Sequence, residues 1–131
     1  MFQISVEAEF SAAHAIMIRG VREPLHGHNW RVVATFEADH LDSEGLLLDF
    51  HAAQRSLASA VGTWNNSNLN DAPEFARLNP TAENVARVIC GSLAADLEPL
   101  LRSTPARIVR VEVSEAAGCV AAFLPGQEPD R

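Results

Sequence analysis

The chain contains no lysine: all ten of its basic residues are arginine, set against seventeen acidic ones for a net charge of −7. Without a lysine amine, a Schiff-base mechanism is excluded. An acidic chain with no basic cluster is also a poor nucleic-acid binder, because phosphate contacts supply most of that affinity. Cysteine is scarce, and Cys90 and Cys119 stand far apart with no CxxC spacing. Cys90 lies in the apolar helical stretch VARVICGSL, which reads as a reduced core thiol. No apolar run approaches the roughly 20 residues that a membrane span needs. The start, MFQISVEAEF, shows no basic region followed by an apolar one, so the expectation is a cytoplasmic protein without a signal peptide.

What is present is an ordinary globular composition, 47% hydrophobic and 21% charged, in 131 residues. That length suits one domain, taken here as residues 1–125 with a tail over 126–131. Residues 2–14 alternate, with Phe2, Ile4, Val6, Ala8, Phe10 and Ala12 on one face, and residues 28–38 alternate again from Trp30 to Ala38. A period of two predicts strands with one buried face, paired antiparallel through residues 15–27. DSEG at 42–45 marks a turn, and Asp49 caps a helix with Phe50, Ala53, Leu57 and Val61 on its apolar stripe. GTWNNSNLN reads as a polar loop. Asn79-Pro80 opens a second helix, with Asn79 as its cap and Val85, Val88, Ile89, Leu93 and Leu97 buried. Residues 107–115 form a third strand with Val109, Val111 and Val113 on one face, and residues 119–124 a fourth. The order ββααββ predicts an α+β domain, a four-stranded antiparallel sheet with both helices on one face.

The chemistry gathers in REPLHGHNW at residues 22–30. His14 continues the even-numbered apolar row of the first strand, while His26 and His28 open that of the second. In an antiparallel pair the end of one strand meets the start of the next, so the three imidazoles should converge at one end of the sheet. Gly27 between them lets the backbone bend. Three neutral imidazoles with an open fourth position form the ligand set of a catalytic zinc site. The plainer account is three separately satisfied histidines at a core edge. His40 and His51 fall outside the group. Glu115 ends the row Val109, Val111, Val113, either at a pocket mouth or at a strand end reaching solvent. Thr81, Glu83 and Asn84 in NPTAEN are explained by helix-start chemistry alone.

Taken in order and spacing, FSAAH (10–14), LHGHNW (25–30), LLDF (47–50), NPTAEN (79–84) and VEVSE (111–115) resemble the 6-pyruvoyl-tetrahydropterin synthase and 6-carboxy-tetrahydropterin synthase family. The resemblance implies the tunnelling fold, whose subunits join edge to edge into a trimeric barrel, two trimers commonly stacking into a hexamer. It also implies a lyase carrying zinc (Zn2+) on His14, His26 and His28, with Glu115 holding the edge of a pterin and Thr81 and Glu83 as further substrate contacts. The substrate it implies is 7,8-dihydroneopterin triphosphate or a related pterin.

Two positions depart from the family pattern. Typical members carry a cysteine base four residues before HGH, where this chain has Arg22. Glu23, three residues before His26, resembles instead the subgroup in which glutamate replaces that cysteine and the product is 6-hydroxymethyl-7,8-dihydropterin. Where the family has an Asp-His pair reaching a neighbouring subunit's pocket, this chain has Asn65-Asn66, which can hold a substrate but cannot relay protons near neutral pH. Two functional readings follow: a zinc-dependent lyase with Glu23 as its base, or a zinc- and pterin-binding homologue without the standard turnover or with another substrate.

Overall fold

Alternation in the first fourteen residues produces one of the two longest strands of the fold. In a computed structural model describing residues 1–126, strand β1 (Phe2–His14) forms as a continuous ribbon. The tail expected over 126–131 lies, apart from Gly126, outside the described residues. The chain then makes a small hairpin of β2 (Met17–Ile18) and β3 (Val21–Arg22). Its turn residues Arg19 and Gly20 have φ values of 52° and 80°, the left-handed pair that a two-residue hairpin turn requires. Strand β4 (His26–Ala38) returns antiparallel to β1 in unbroken register, from Phe2 opposite Ala38 to His14 opposite His26. Because both partners of every facing pair carry the same parity, the even-numbered residues of both strands share one face. Val6, Phe10, Ala12, Trp30, Val32 and Ala34 are buried there.

Asp42 accepts hydrogen bonds from the amides of Glu44 and Leu46 and so shapes the expected turn. Helix α1 (Phe50–Gly62) is capped by Asp49, whose carboxylate accepts from the His51 amide. Its buried stripe is Ala53, Ser56, Leu57 and Val61, while Phe50 at the first position stays half exposed. The polar run after it is not all loop: β5 (Ser67–Asn68) adds to the free edge of β1 in parallel. Two short 3-10 turns follow and insert Leu69 and Phe75 into the core. Helix α2 (Ala82–Asp96) starts later than expected. Thr81 is its cap, accepting from the Asn84 amide, because Asn79 spends its side chain on the backbone of Met17. A five-residue helix α3 (Glu98–Arg102) begins around Pro99, where α2 can no longer continue.

Strands β6 (Arg107–Ala116) and β7 (Cys119–Phe123) complete a mixed sheet ordered β5-β1-β4-β6-β7. The four antiparallel strands are those expected, and the fifth, parallel strand and third helix are additions. Helices α1 and α2 pack over β1 and over β6 and β7 on the same face. Two bulges in β6 matter. Thr35 pairs with Arg110 and Phe36 with Ile108, so Val109 has no opposite residue on β4. The extra residue reverses the alternation: Ile108 packs on the core, Val111 and Val113 are fully buried, and Val109 leaves the row. Nearer the strand's end, Ser114 pairs with Val120 and Ala116 with Cys119, leaving Glu115 unopposed on β7. Cys90 is buried and Cys119 exposed, neither in a disulfide. No helix of the described residues is long and apolar enough to cross a membrane.

Candidate functional site

The unbroken β1–β4 register decides where the histidines go. His14 faces His26 directly, and His28 faces Ala12, two residues further along the same side. Ring centroids lie 4.7 Å apart for His14 and His26, 4.7 Å for His26 and His28, and 5.3 Å for His14 and His28. One ring nitrogen from each can be chosen so that all three lie within 4.8 Å of one another. His14 is 1% exposed and packs its edge against Trp30.

Backbone carbonyls fix two of the tautomers. His14 Nδ1 lies 2.8 Å from the Pro80 carbonyl oxygen and His26 Nδ1 lies 2.9 Å from that of Pro24. A carbonyl can only accept, so each Nδ1 carries a proton and, in the neutral ring, each Nε2 presents a lone pair. His14 Nε2 and His28 Nε2 are buried with no hydrogen-bond partner among the described residues. A buried acceptor without a donor costs about 1–3 kcal/mol, and here two of them belong to one cluster. Burial pushes the His28 pKa down, which favours the neutral ring that a metal requires. The donor set therefore fits a zinc ion, with carbonyls orienting two of the three rings. Three separately satisfied histidines would not leave these nitrogens bare.

Two carboxylates flank the triad. Glu115 Oε2 is 3.5 Å from His14 Nε2, and Glu23 Oε1 is 3.5 Å from His26 Nε2. Glu115 reaches this position by alternation, two residues beyond the buried Val113 on the same face of β6, and the bulge leaves it unopposed on β7. Glu23 is held at both ends by one residue: its amide donates to the Ile16 carbonyl at 3.0 Å, and its carboxylate accepts from the Ile16 amide at 3.2 Å. Arg22, its neighbour on β3, is exposed.

The remaining expected residues sit less centrally. Thr81 caps α2 and Glu83 is exposed in its first turn, while the Pro80 carbonyl makes that segment's hydrogen bond to the triad. Asn65 Oδ1 accepts from the Ser11 amide at 2.9 Å, and the Asn66 amide donates to the Ser11 carbonyl at 2.6 Å. Asn66, Ser67 and Asn68 line a shallow recess of about 570 Å³ that reaches Gly27 and His28 across the edge of β1. His40 and His51 are exposed and take no part. Sequence chemistry marks Asn79 only as a helix cap and Asn70 not at all, yet each grips the backbone of the segment joining His14 to Glu23. Their partners are main-chain atoms, which leave no side-chain signal to find.

Comparison with known proteins gives this geometry a setting. Residues 3–125 match the family model described as 6-pyruvoyl tetrahydropterin synthase. The 6-carboxy-5,6,7,8-tetrahydropterin synthase of Bacillus subtilis is 29% identical over 125 residues, covering 91% of this chain and 84% of that one. Among solved structures, 6-pyruvoyl tetrahydropterin synthase of Caenorhabditis elegans superposes with a TM-score of 0.81 at 19% identity, over 95% of this chain and 96% of that chain. The Plasmodium vivax 6-pyruvoyltetrahydropterin synthase, in a form whose catalytic glutamate is replaced by alanine, gives 0.79 at 17% identity, over 93% and 96%. These superpositions establish the tunnelling fold.

Proposed function

The chain belongs to the 6-pyruvoyl tetrahydropterin synthase family, and from that membership we propose that it is a lyase of pterin metabolism that shortens the side chain of a 7,8-dihydropterin, with Glu23 as its base. The observation that carries this reading is the placement of the Glu23 carboxylate 3.5 Å from the His26 ring, where the family's cysteine is missing. The Plasmodium vivax relative likewise has a glutamate as a catalytic residue.

His14, His26 and His28 would hold the zinc ion, which supplies Lewis acidity toward the oxygens of the substrate side chain when bound. Glu115 accepts hydrogen bonds from the donor edge of the pterin. Glu23 takes the proton from the hydroxyl on the second side-chain carbon. The bond to the first side-chain carbon then breaks, and its electron pair passes into the C=N bond of the dihydropterin. A proton returned to the first carbon leaves 6-hydroxymethyl-7,8-dihydropterin, and the departing fragment is an aldehyde. Thr81 and Glu83 are the secondary substrate contacts.

The second reading, binding without turnover, draws on Asn65 and Asn66. An amide exchanges no proton near neutral pH, and the Asn65 carbonyl is already committed to Ser11. Incubation with 7,8-dihydroneopterin triphosphate and mass analysis of the products separates the two. The lyase reading expects 6-hydroxymethyl-7,8-dihydropterin; recovery of unchanged substrate supports the other.

The Glu115→Gln variant tests the pterin contact. Losing a charged acceptor that faces donors should weaken pterin binding about ten- to a hundredfold by calorimetry, with metal content unchanged. Unchanged affinity would remove Glu115 from the substrate site.

Among the described residues the sheet ends in two open edges, β7 on one side and β1 with the short β5 on the other. Open edges attract further strands, so we propose that chains join into a trimer or hexamer that brings Asn65 and Asn66 to a neighbour's pocket. Light scattering should report at least three chains per particle at micromolar concentration; a monomer would refute the assembly.

A further inference from the structure

We infer that Asn70 and Asn79 are positioning residues for Glu23, acting through the backbone of residues 15–17; the inference rests on the reading of Glu23 as the base. After His14 the chain runs extended, so the N–H and C=O of Ala15 and Met17 point to one side and those of Ile16 to the other. On the first side stand the two asparagines. Asn70 Oδ1 accepts from the Ala15 amide at 2.8 Å while its Nδ2 donates to the Ala15 carbonyl at 2.8 Å. Asn79 treats Met17 in the same way, with both bonds at 2.9 Å. On the second side Ile16 exchanges its two bonds with Glu23.

Asparagine suits this task because its amide carries a donor and an acceptor side by side and pairs with one residue as a neighbouring strand would. The two come from separate elements, a 3-10 turn after β5 and the approach to α2, yet converge on alternate residues of one short segment. Neither uses its side chain to cap the helical element beside it: Thr81 caps α2, and Asn68 accepts from the Asn70 amide. The Ile16 amide is thereby held in place, and with it the carboxylate that lies beside His26. A base must be placed within fractions of an ångström, since misplacement by about 1 Å can cost roughly a hundredfold in rate.

Asn79→Asp keeps the side chain's shape but turns its donor into an acceptor facing the Met17 carbonyl, and Asn70→Asp does the same at Ala15. Each should lower kcat about ten- to a hundredfold with KM nearly unchanged. Amide exchange at Ile16 should accelerate while exchange in β4 and β6 does not. Should Asn70→Asp fail to fold, Asn79→Ala carries the test, since it deletes bonds to the exposed Met17 without introducing a charge. The discriminating measurement is made in the Glu23→Gln background. There the same substitutions should cost less than about twofold more, because the group they position no longer works. A full, multiplicative loss in that background, or an unchanged Ile16 exchange rate in Asn79→Asp, overturns the inference. If Glu23→Gln alone leaves turnover intact, it is the base assignment that has failed, and Ile16 exchange by itself decides whether the asparagines hold the segment.

Discussion

Replacing Glu23 with glutamine is expected to leave zinc content and pterin affinity near their original values while turnover falls about 10²- to 10⁴-fold. Glutamine is chosen because it removes little but the basicity. Its carbonyl can still accept from the Ile16 amide, so the loop that carries it keeps its anchor. The backbone bond from residue 23 to Ile16 is untouched. The one new hazard is the amide NH2, which could donate to His26 Nε2 and compete with a metal, and this is why metal content must be measured in the same preparation. A single-turnover assay with 7,8-dihydroneopterin triphosphate reads the chemical step directly. A variant that binds zinc and turns over at the original rate would reduce Glu23 to a latch that closes the 15–25 segment.

The latch and the base are not rivals in energetic terms. The Ile16 amide and the His26 ring both approach Oε1 of the carboxylate, so one side chain both closes the loop and faces the histidine cluster. The neighbouring Arg22 is exposed on the hairpin, which leaves it free to meet an anionic part of a ligand or solvent.

The histidine cluster was legible in the sequence because parity survives an unbroken antiparallel register. β1 and β4 pair over thirteen residues without a bulge, so the even-numbered row that ends at His14 meets the row that begins at His26. Parity breaks at Val109 because β6 itself contains an extra residue there, and a period-two pattern does not reveal a bulge within the strand. Glu115 was legible by the same alternation, which carries it on from Val111 and Val113 to the face that holds His14, and the bulge only leaves it unopposed on β7. Strand β5 went unread because Ser67 and Asn68 have little strand propensity; the neighbouring edge of β1 imposes the conformation. The cap of α2 was misplaced for a related reason. Asn79 has the right chemistry for a cap, yet a backbone residue 62 positions away claims its amide, and only tertiary structure shows that claim.

Metal removal is the other large effect, and His26 is the residue on which to test it. Purified without added metal, the protein should carry close to one zinc per chain, because three clustered imidazoles, each offering one ring nitrogen, match a three-ligand site. His14→Ala would also lose the metal, but it would open a cavity beside Trp30 and strand the Pro80 carbonyl, so lost folding could pass for lost binding. His26 is 38% exposed and its carbonyl partner lies at the surface, so its removal disturbs the core little. Two imidazoles rarely retain zinc, and His26→Ala should bind less than about a tenth of an equivalent. Stability supplies an independent reading. Binding to the folded state alone raises stability by RT ln(1 + [L]/Kd), so zinc at about 100 times its Kd should add about 2.7 kcal/mol to the wild type and nothing to the variant. Chelator-treated wild type and His26→Ala should then unfold at nearly the same temperature. A variant that still gains from zinc, or a wild type that gains nothing, would show that the three rings do not act as one site.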